Sequence, residues 1–192
     1  ITGVGNLTSA GTVAAALALA VPIGMAGLGG LWSERAGVVN IGLEGMMILG
    51  TFGAGWAGYQ WGPWVGMLCG VAFGALGGVL HAIATVTFAV DQIVSGVAIN
   101  ILAVGLTQFL AAELFTGVPN AGATQSPPIP PIGSVTLPLI STWSLELSEK
   151  DWFFVSDLAG VVAGLTTDVS YLTIIAIAML FLTFFILWRT AF

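Results

Sequence analysis

The chain reads as an all-α polytopic membrane protein. Three observations lead there. Only three Lys+Arg and nine Asp+Glu occur in 192 residues, so charged residues make up 6%, against roughly 25% in a soluble domain. Hydrophobic residues reach 57%, and mean hydropathy is +1.05. The charges are also segregated: residues 1–33, 45–90, 92–112 and 169–188 carry none. A soluble fold of this size needs charge on its surface. The same composition excludes a disordered tail, and so few basic residues leave no footprint for nucleic acid. One Cys and one His exclude a disulfide framework and a Cys-based zinc site, and make a catalytic metal site unexpected.

A hydrocarbon core of about 30 Å takes about 20 apolar helical residues. On that measure five hydrophobic segments are expected, at about 10–32, 37–60, 63–88, 93–115 and 169–188. Helices are the default, because an open sheet edge cannot sit in lipid. The chain opens on Ile1 without an initiator Met or a basic leader and stops soon after Arg189. It therefore reads as a fragment of one transmembrane domain, cut at both ends. Arg189 argues for a cytoplasmic end to the last segment. That assignment puts the acidic loop at about 116–168 outside, with Asp91 and Glu34-Arg35 inside. Asn6-Leu7-Thr8 matches a glycosylation sequon, a pattern common by chance.

The first segment ends at Glu34-Arg35. Adjacent side chains do not face each other on a helix, so these two read as an interfacial pair or find partners elsewhere. The second segment contains Asn40 and Glu44, four apart and expected on one helix face. Gly37, Gly42 and Gly45 surround them, a density expected of a broken or re-entrant helix whose freed backbone groups line a cavity. A charge at the bilayer centre costs about 2.5–3.5 kcal/mol. Glu44 is thus either a polar centre of a transport path or part of a hydrogen-bonded knot between helices.

The third segment repeats glycine every four residues, at Gly62, Gly66, Gly70, Gly74 and Gly78. Segment two has Gly50, Ala54 and Gly58 on the same period. Such stripes let helix backbones approach closely where lipid supplies no hydrophobic drive. His81 lies alone and reads as a structural residue. Asp91 suits a cap at the start of segment four. Within that segment Ser95, Gly96 and Asn100 are the polar or small positions, and Asn100 is either interhelical glue or pathway lining. Glu113 is expected at the interface.

In the long loop, Ser126-Pro127-Pro128-Ile129-Pro130-Pro131 cannot be helix interior. Residues 116–145 are expected to be extended and irregular. Residues 152–165 are apolar but short, and suit a packed or interfacial helix. The loop is either a cap that meets an extracytoplasmic partner or a passive connector. No phosphate-binding loop is present, so any ATP hydrolysis belongs to another subunit.

Two long motifs carry a resemblance. The run from Gly30 to Met47, with Glu34-Arg35, Asn40-Ile-Gly42-Leu-Glu44-Gly45 inside it, resembles the permease subunits of bacterial nucleoside ABC importers. These belong to a wider superfamily of sugar and branched-chain amino acid permeases. The run from Asp91 to Thr107, with Ser95-Gly96 and Asn100, agrees, as do the proline run and the end at Leu187-Trp188-Arg189. The resemblance implies a type II importer fold and a bacterial plasma (inner) membrane location. It implies a second permease subunit, cytoplasmic ATPase subunits that bind ATP and Mg, and an extracytoplasmic nucleoside-binding lipoprotein. The chain itself then binds no cofactor and is a transport subunit, not an enzyme. Asn40, Glu44, Ser95, Gly96 and Asn100 become candidate pathway or gating positions, and the glycine stripe the packing surface. Other readings remain: a permease for a simple sugar, an autoinducer or a branched-chain amino acid, a proton-coupled carrier working through Glu44 and Asp91, or a non-transporting scaffold.

Overall fold

The computed structural model describes residues 8–148 and 155–190. Asn6 and Leu7 of the sequon, Lys150 and the Trp152-Phe153-Phe154 start of the short apolar segment lie outside them. The helices are α1 (Ala10–Arg35), α2 (Leu43–Trp61), α3 (Pro63–Ala82), α4 (Gln92–Leu114), α5 (Pro138–Ser148), α6 (Val155–Thr166) and α7 (Tyr171–Arg189). A π-helical turn, Ile83–Thr87, extends α3. Two short strands, β1 (Ser134–Val135) and β2 (Val169–Ser170), pair antiparallel.

Four helical stretches are long and apolar enough to cross a membrane: Ala10–Arg35, Pro63–Thr87, Gln92–Leu114 and Tyr171–Arg189. They match four of the five expected segments. The fifth, α2, is not among them. Its sequence replaces aliphatic side chains with glycine and carries Glu44, Thr51, Tyr59 and Gln60. It buries Gly45, Met46, Phe52, Gly53, Gly55, Ala57 and Gly58. Pro22 lies inside α1, as membrane helices tolerate.

The chain forms two compact units, residues 29–131 and residues 1–28 with 132–192. In the first, α2 packs on α3 and on α4. Pro63 opens α3 at the first helical position, and Gly62 makes the turn before it at φ +93°, a conformation that favours glycine. The glycine stripe is the α2–α3 seam. A Cβ on Gly66 would lie 2.8 Å from Ala54 O and from Gly58 Cα, and one on Gly70 would lie 3.1 Å from Gly50 O. Gly74 makes ordinary contact with Met46 O, whereas Gly62 and Gly78 meet nothing within 4 Å. A period of four drifts round a helix of 3.6 residues per turn. By Gly78 the stripe has left the seam, and Gly77 takes its place against Met46. Gly53 was not part of the expected stripe, yet a Cβ there would strike Phe73 and Cys69 O.

A small core joins Phe52, Ala111 and Phe115, with Trp56, Phe73, Leu110 and Ala121 against it. The proline run crosses α2: Pro127 is fully buried, Ser126 sits against Gly55 and Ile129 against Gly58.

Two further expectations fail here. Asn40 is not on a helix face with Glu44, because residues 37–42 form a non-helical joint and α2 begins only at Leu43. Gly37, at φ +82°, ends the continuation of α1. The long loop is also not extended through 145, since Pro138 opens α5. Proline is well placed there: its missing N–H is one of the unpaired donors of a helix start.

In the second unit α5 and α6 pack together, burying Ser141 and Ser144 of one and Ala159, Gly160, Ala163 and Gly164 of the other. The short packed helix expected near 152–165 is α6. Gly160 and Gly164 seat Thr8, Ala10 and Val13, and Thr8 Oγ1 donates to Asp157 at 2.5 Å. Thr136 Oγ1 donates to Asp168 Oδ1 at 3.1 Å and accepts from Asp168 N–H at 3.0 Å. Ser170 then caps α7.

Candidate functional site

The site lies in the unit of residues 29–131 and starts at the break between α1 and α2. A chain that leaves a helix frees backbone donors and acceptors. Here the partners come from one face of α4. Gln92, Gly96 and Asn100 recur every four residues and so share that face. Gln92 Oε1 accepts from Val39 N–H at 2.7 Å, and its Nε2 donates to Gly37 O at 3.4 Å. Gly96 lets the joint touch the helix: a Cβ there would lie 2.5 Å from Ile41 Cγ1 and 2.9 Å from Gly42 N. Asn100 Oδ1 accepts from Gly45 N–H at 2.7 Å, and Nδ2 donates to Ile41 O at 3.0 Å. Gly45 is equally constrained, since its Cβ would lie 2.8 Å from Asn100 Cα and from Ile99 O.

Asn40 completes the joint from within. Its Oδ1 accepts from Gly42 N–H at 3.0 Å, an Asx turn, and its Nδ2 reaches Met46 Sδ at 3.5 Å. Asn40, Gly96 and Asn100 therefore meet in one structure. Glu44 stands apart. It is exposed in the first turn of α2 and makes no hydrogen bond or ion pair among the described residues. A carboxylate is favoured there by the helix dipole. The knot runs through the two asparagines, not through Glu44.

Ser95 faces the other way, toward α3. Its Oγ lies 3.0 Å from His81 Nδ1, with both residues buried. His81 Nε2 is buried without a partner among the described residues. Asp91 caps α4, accepting from Ile93 and Val94 N–H at 2.9 and 3.1 Å. Arg35 stands in the last turn of α1, and Glu113 is exposed.

Further along the same two helices, a cleft of about 370 Å³ is lined by α2, α4 and residues 123–126. Phe52, Ala111 and Phe115 give it an apolar floor, and Thr51, Thr107, Gln108 and Gln125 polar walls. Sequence reasoning missed this cleft and the part played by Gln92. Gln92 was legible as the start of the stripe that runs through Gly96 and Asn100. Thr107-Gln108, a polar pair inside an apolar helix, was the sign of the cleft.

These features define a permease-type membrane protein: apolar helices, a glycine-packed seam, and polar groups gathered at a broken helix and in a cleft. Over residues 12–192 the chain matches the family described as branched-chain amino acid transport system / permease component. The chain belongs to that family, whose members are transport subunits of the cell membrane rather than enzymes.

Among curated proteins it is similar to the guanosine ABC transporter permease protein NupQ of Bacillus subtilis (strain 168). The two are 38% identical over 188 residues, covering 94% of this chain and 52% of NupQ. The nucleoside ABC transporter permease protein NupC of Lactococcus lactis is 42% identical over 106 residues, covering 51% of this chain and 33% of that one. The putative glucose ABC transporter permease protein TsgC13 of Haloferax volcanii is 39% identical over 121 residues, covering 58% of this chain and 36% of its own length. The chain thus spans about half the length of NupQ and about a third of the other two. No solved structure matches it.

Proposed function

We propose that this chain is part of the permease subunit of an ABC importer that carries nucleosides across the cell membrane by alternating access. The observation that carries the reading is the likeness to a guanosine permease along 94% of the chain, with a nucleoside permease again among the relatives. On this reading ATP and Mg are bound by a separate ATPase subunit. A second permease subunit completes the pathway, and an extracytoplasmic nucleoside-binding lipoprotein delivers the solute. The loop from 116 to 168 then lies outside and Arg189 inside.

Within the permease, Asn40, Gly96 and Asn100 hold the joint, and Ser95 ties the same stretch of α4 to α3. The joint sits where a change in the angle between α2 and α4 would be felt, and the Ser95 contact where one between α3 and α4 would be. Glu44, exposed beside the joint, is the group free to meet another chain or the solute path. Gly66 and Gly70 keep α2 and α3 together as one body.

A sugar is the second reading, favoured by the likeness to a putative glucose permease. Uptake of labelled guanosine by a strain lacking the complete gene, before and after its return, tests the first reading. Restoration that unlabelled nucleosides block and glucose does not supports it. Restoration of glucose uptake alone replaces it with the second.

A further inference from the structure

The cleft between α2 and α4 is chemically unlike its surroundings. Elsewhere α4 presents large apolar side chains, with Ile101, Leu102 and Phe109 strongly exposed. Polar side chains inside a membrane face protein or a water-filled cavity. Here Thr51, Thr107, Gln108 and Gln125 gather round one opening. The hydroxyl protons of Thr51 and Thr107 are already committed, to Ile48 O at 2.8 Å and Ala103 O at 2.7 Å. Each hydroxyl oxygen keeps lone pairs for an incoming donor. The carboxamides of Gln108 and Gln125 are exposed and make no hydrogen bond among the described residues. A carboxamide shows a donor and an acceptor side by side, the pattern that pairs with the edge of a nucleobase.

Phe52 and Phe115, with rings 6.3 Å apart and tilted by 43°, belong to the core and are only 9% and 3% exposed, so they close the cleft as an apolar floor and offer no open ring face. A solute with one apolar side can meet that floor while its polar edge meets the glutamines. The volume of about 370 Å³ falls within the roughly 300–1,000 Å³ of small-molecule sites.

We propose that this cleft is a nucleoside-binding site within the permease itself, with the edge of the base toward the carboxamides of Gln108 and Gln125 and the apolar floor behind it. The threonine hydroxyls are left to accept from the ribose. The proposal rests on the nucleoside reading above and adds a place and a specificity to it: a base is required, and a simple sugar is not enough.

The test is photolabelling of the complete permease complex, purified without its delivery protein, with 8-azidoguanosine, followed by peptide mapping. Label is expected on α2 near Thr51 or on α4 near Gln108, competed by excess guanosine and not by ribose or glucose. Gln108→Leu should lower that label at least tenfold in an assembled complex. Glu113→Gln, on the same helix but outside the cleft, should not. Label that maps elsewhere, or is unchanged in both Gln108→Leu and Gln125→Leu, overturns the site. If cells still take up guanosine through the unaltered permease, the nucleoside reading survives that loss. Competition by glucose equal to that by guanosine overturns the base requirement. Absence of guanosine uptake in cells overturns the nucleoside reading itself.

Discussion

Asn100 on α4 accepts the Gly45 N–H of α2 at 2.7 Å while donating to Ile41 O at 3.0 Å. One side chain thus replaces the hydrogen bonds that a continuous helix from α1 into α2 would have made for itself. This is how the Gly45 N–H and the Ile41 carbonyl stay paired where the chain changes direction, each buried group left unpaired costing about 1–3 kcal/mol. Substituting Asn100 with Ala removes both bonds at once. A loss of about 1–2 kcal/mol is expected, read as a lower melting temperature of the complete permease in detergent. A melting temperature equal to wild type would show that the joint holds without it.

Gly96 and Gly45 form the steric half of the same joint. The Cβ of Gly96→Ala would overlap the Ile41 side chain and the Gly42 backbone nitrogen, and the backbone atom cannot turn aside as a side chain can. Overpacking of this kind costs about 1–3 kcal/mol. The expected result is reduced stability together with greater protease sensitivity at residues 37–42, measured by limited proteolysis in nanodiscs.

The glycine stripe separates two substitutions that look alike in sequence. Gly66→Ala would place its Cβ against Ala54 O and Gly58 Cα and should force α2 and α3 apart. Gly78→Ala meets nothing within 4 Å. There the better helix propensity of alanine should leave stability unchanged or raise it by up to about 1 kcal/mol. Thermal unfolding of both variants side by side checks the contrast. Equal destabilisation would contradict the assignment of the seam.

Ser95 and His81 give a prediction about asymmetry. Ser95→Ala strips the bond from a histidine that is 3% exposed, leaving both its nitrogens unpaired. A cost of about 1–3 kcal/mol is expected. The double variant Ser95→Ala/His81→Leu removes the buried polar pair and should recover most of that loss. A double variant as unstable as the sum of the two singles would mean the pair does not act as a unit.

The helical fold was legible because charge-free runs of membrane length have few alternatives. Four of those runs became apolar helices of spanning length. What was not legible was the joint. Asn40 and Glu44 stand four apart, so periodicity alone placed them on one helix face. It could not show that Gly37 would break the helix before Asn40, or that Asn100, distant in sequence, would supply the missing partners. In sequence Asn100 is either interhelical glue or pathway lining; in the structure its two backbone bonds tie α4 to the start of α2. The stripe was legible for the same reason that Gly78 was misassigned to it: a four-residue repeat marks a face but also drifts off it. The cleft is built from α2, α4 and residues 123–126 together, a meeting of distant segments that leaves no local pattern, although Thr107-Gln108 marked the place.

Glu44 is the one candidate that neither the joint nor the Ser95–His81 contact uses. Glu44→Gln removes a charge from an exposed first-turn position, where the dipole effect is worth about 0.3–1 kcal/mol. The complex should therefore stay assembled. If Glu44 serves the transport cycle, solute-coupled ATPase activity of the whole complex should change while its melting temperature holds. Unchanged coupling would remove Glu44 from the mechanism.

The most direct measurement is uptake of labelled guanosine in a strain without a redundant importer, with the complete gene deleted and then restored. The nucleoside-permease account predicts that deletion abolishes uptake, restoration returns it, and only nucleosides compete. Guanosine uptake that is indifferent to the gene would contradict the account.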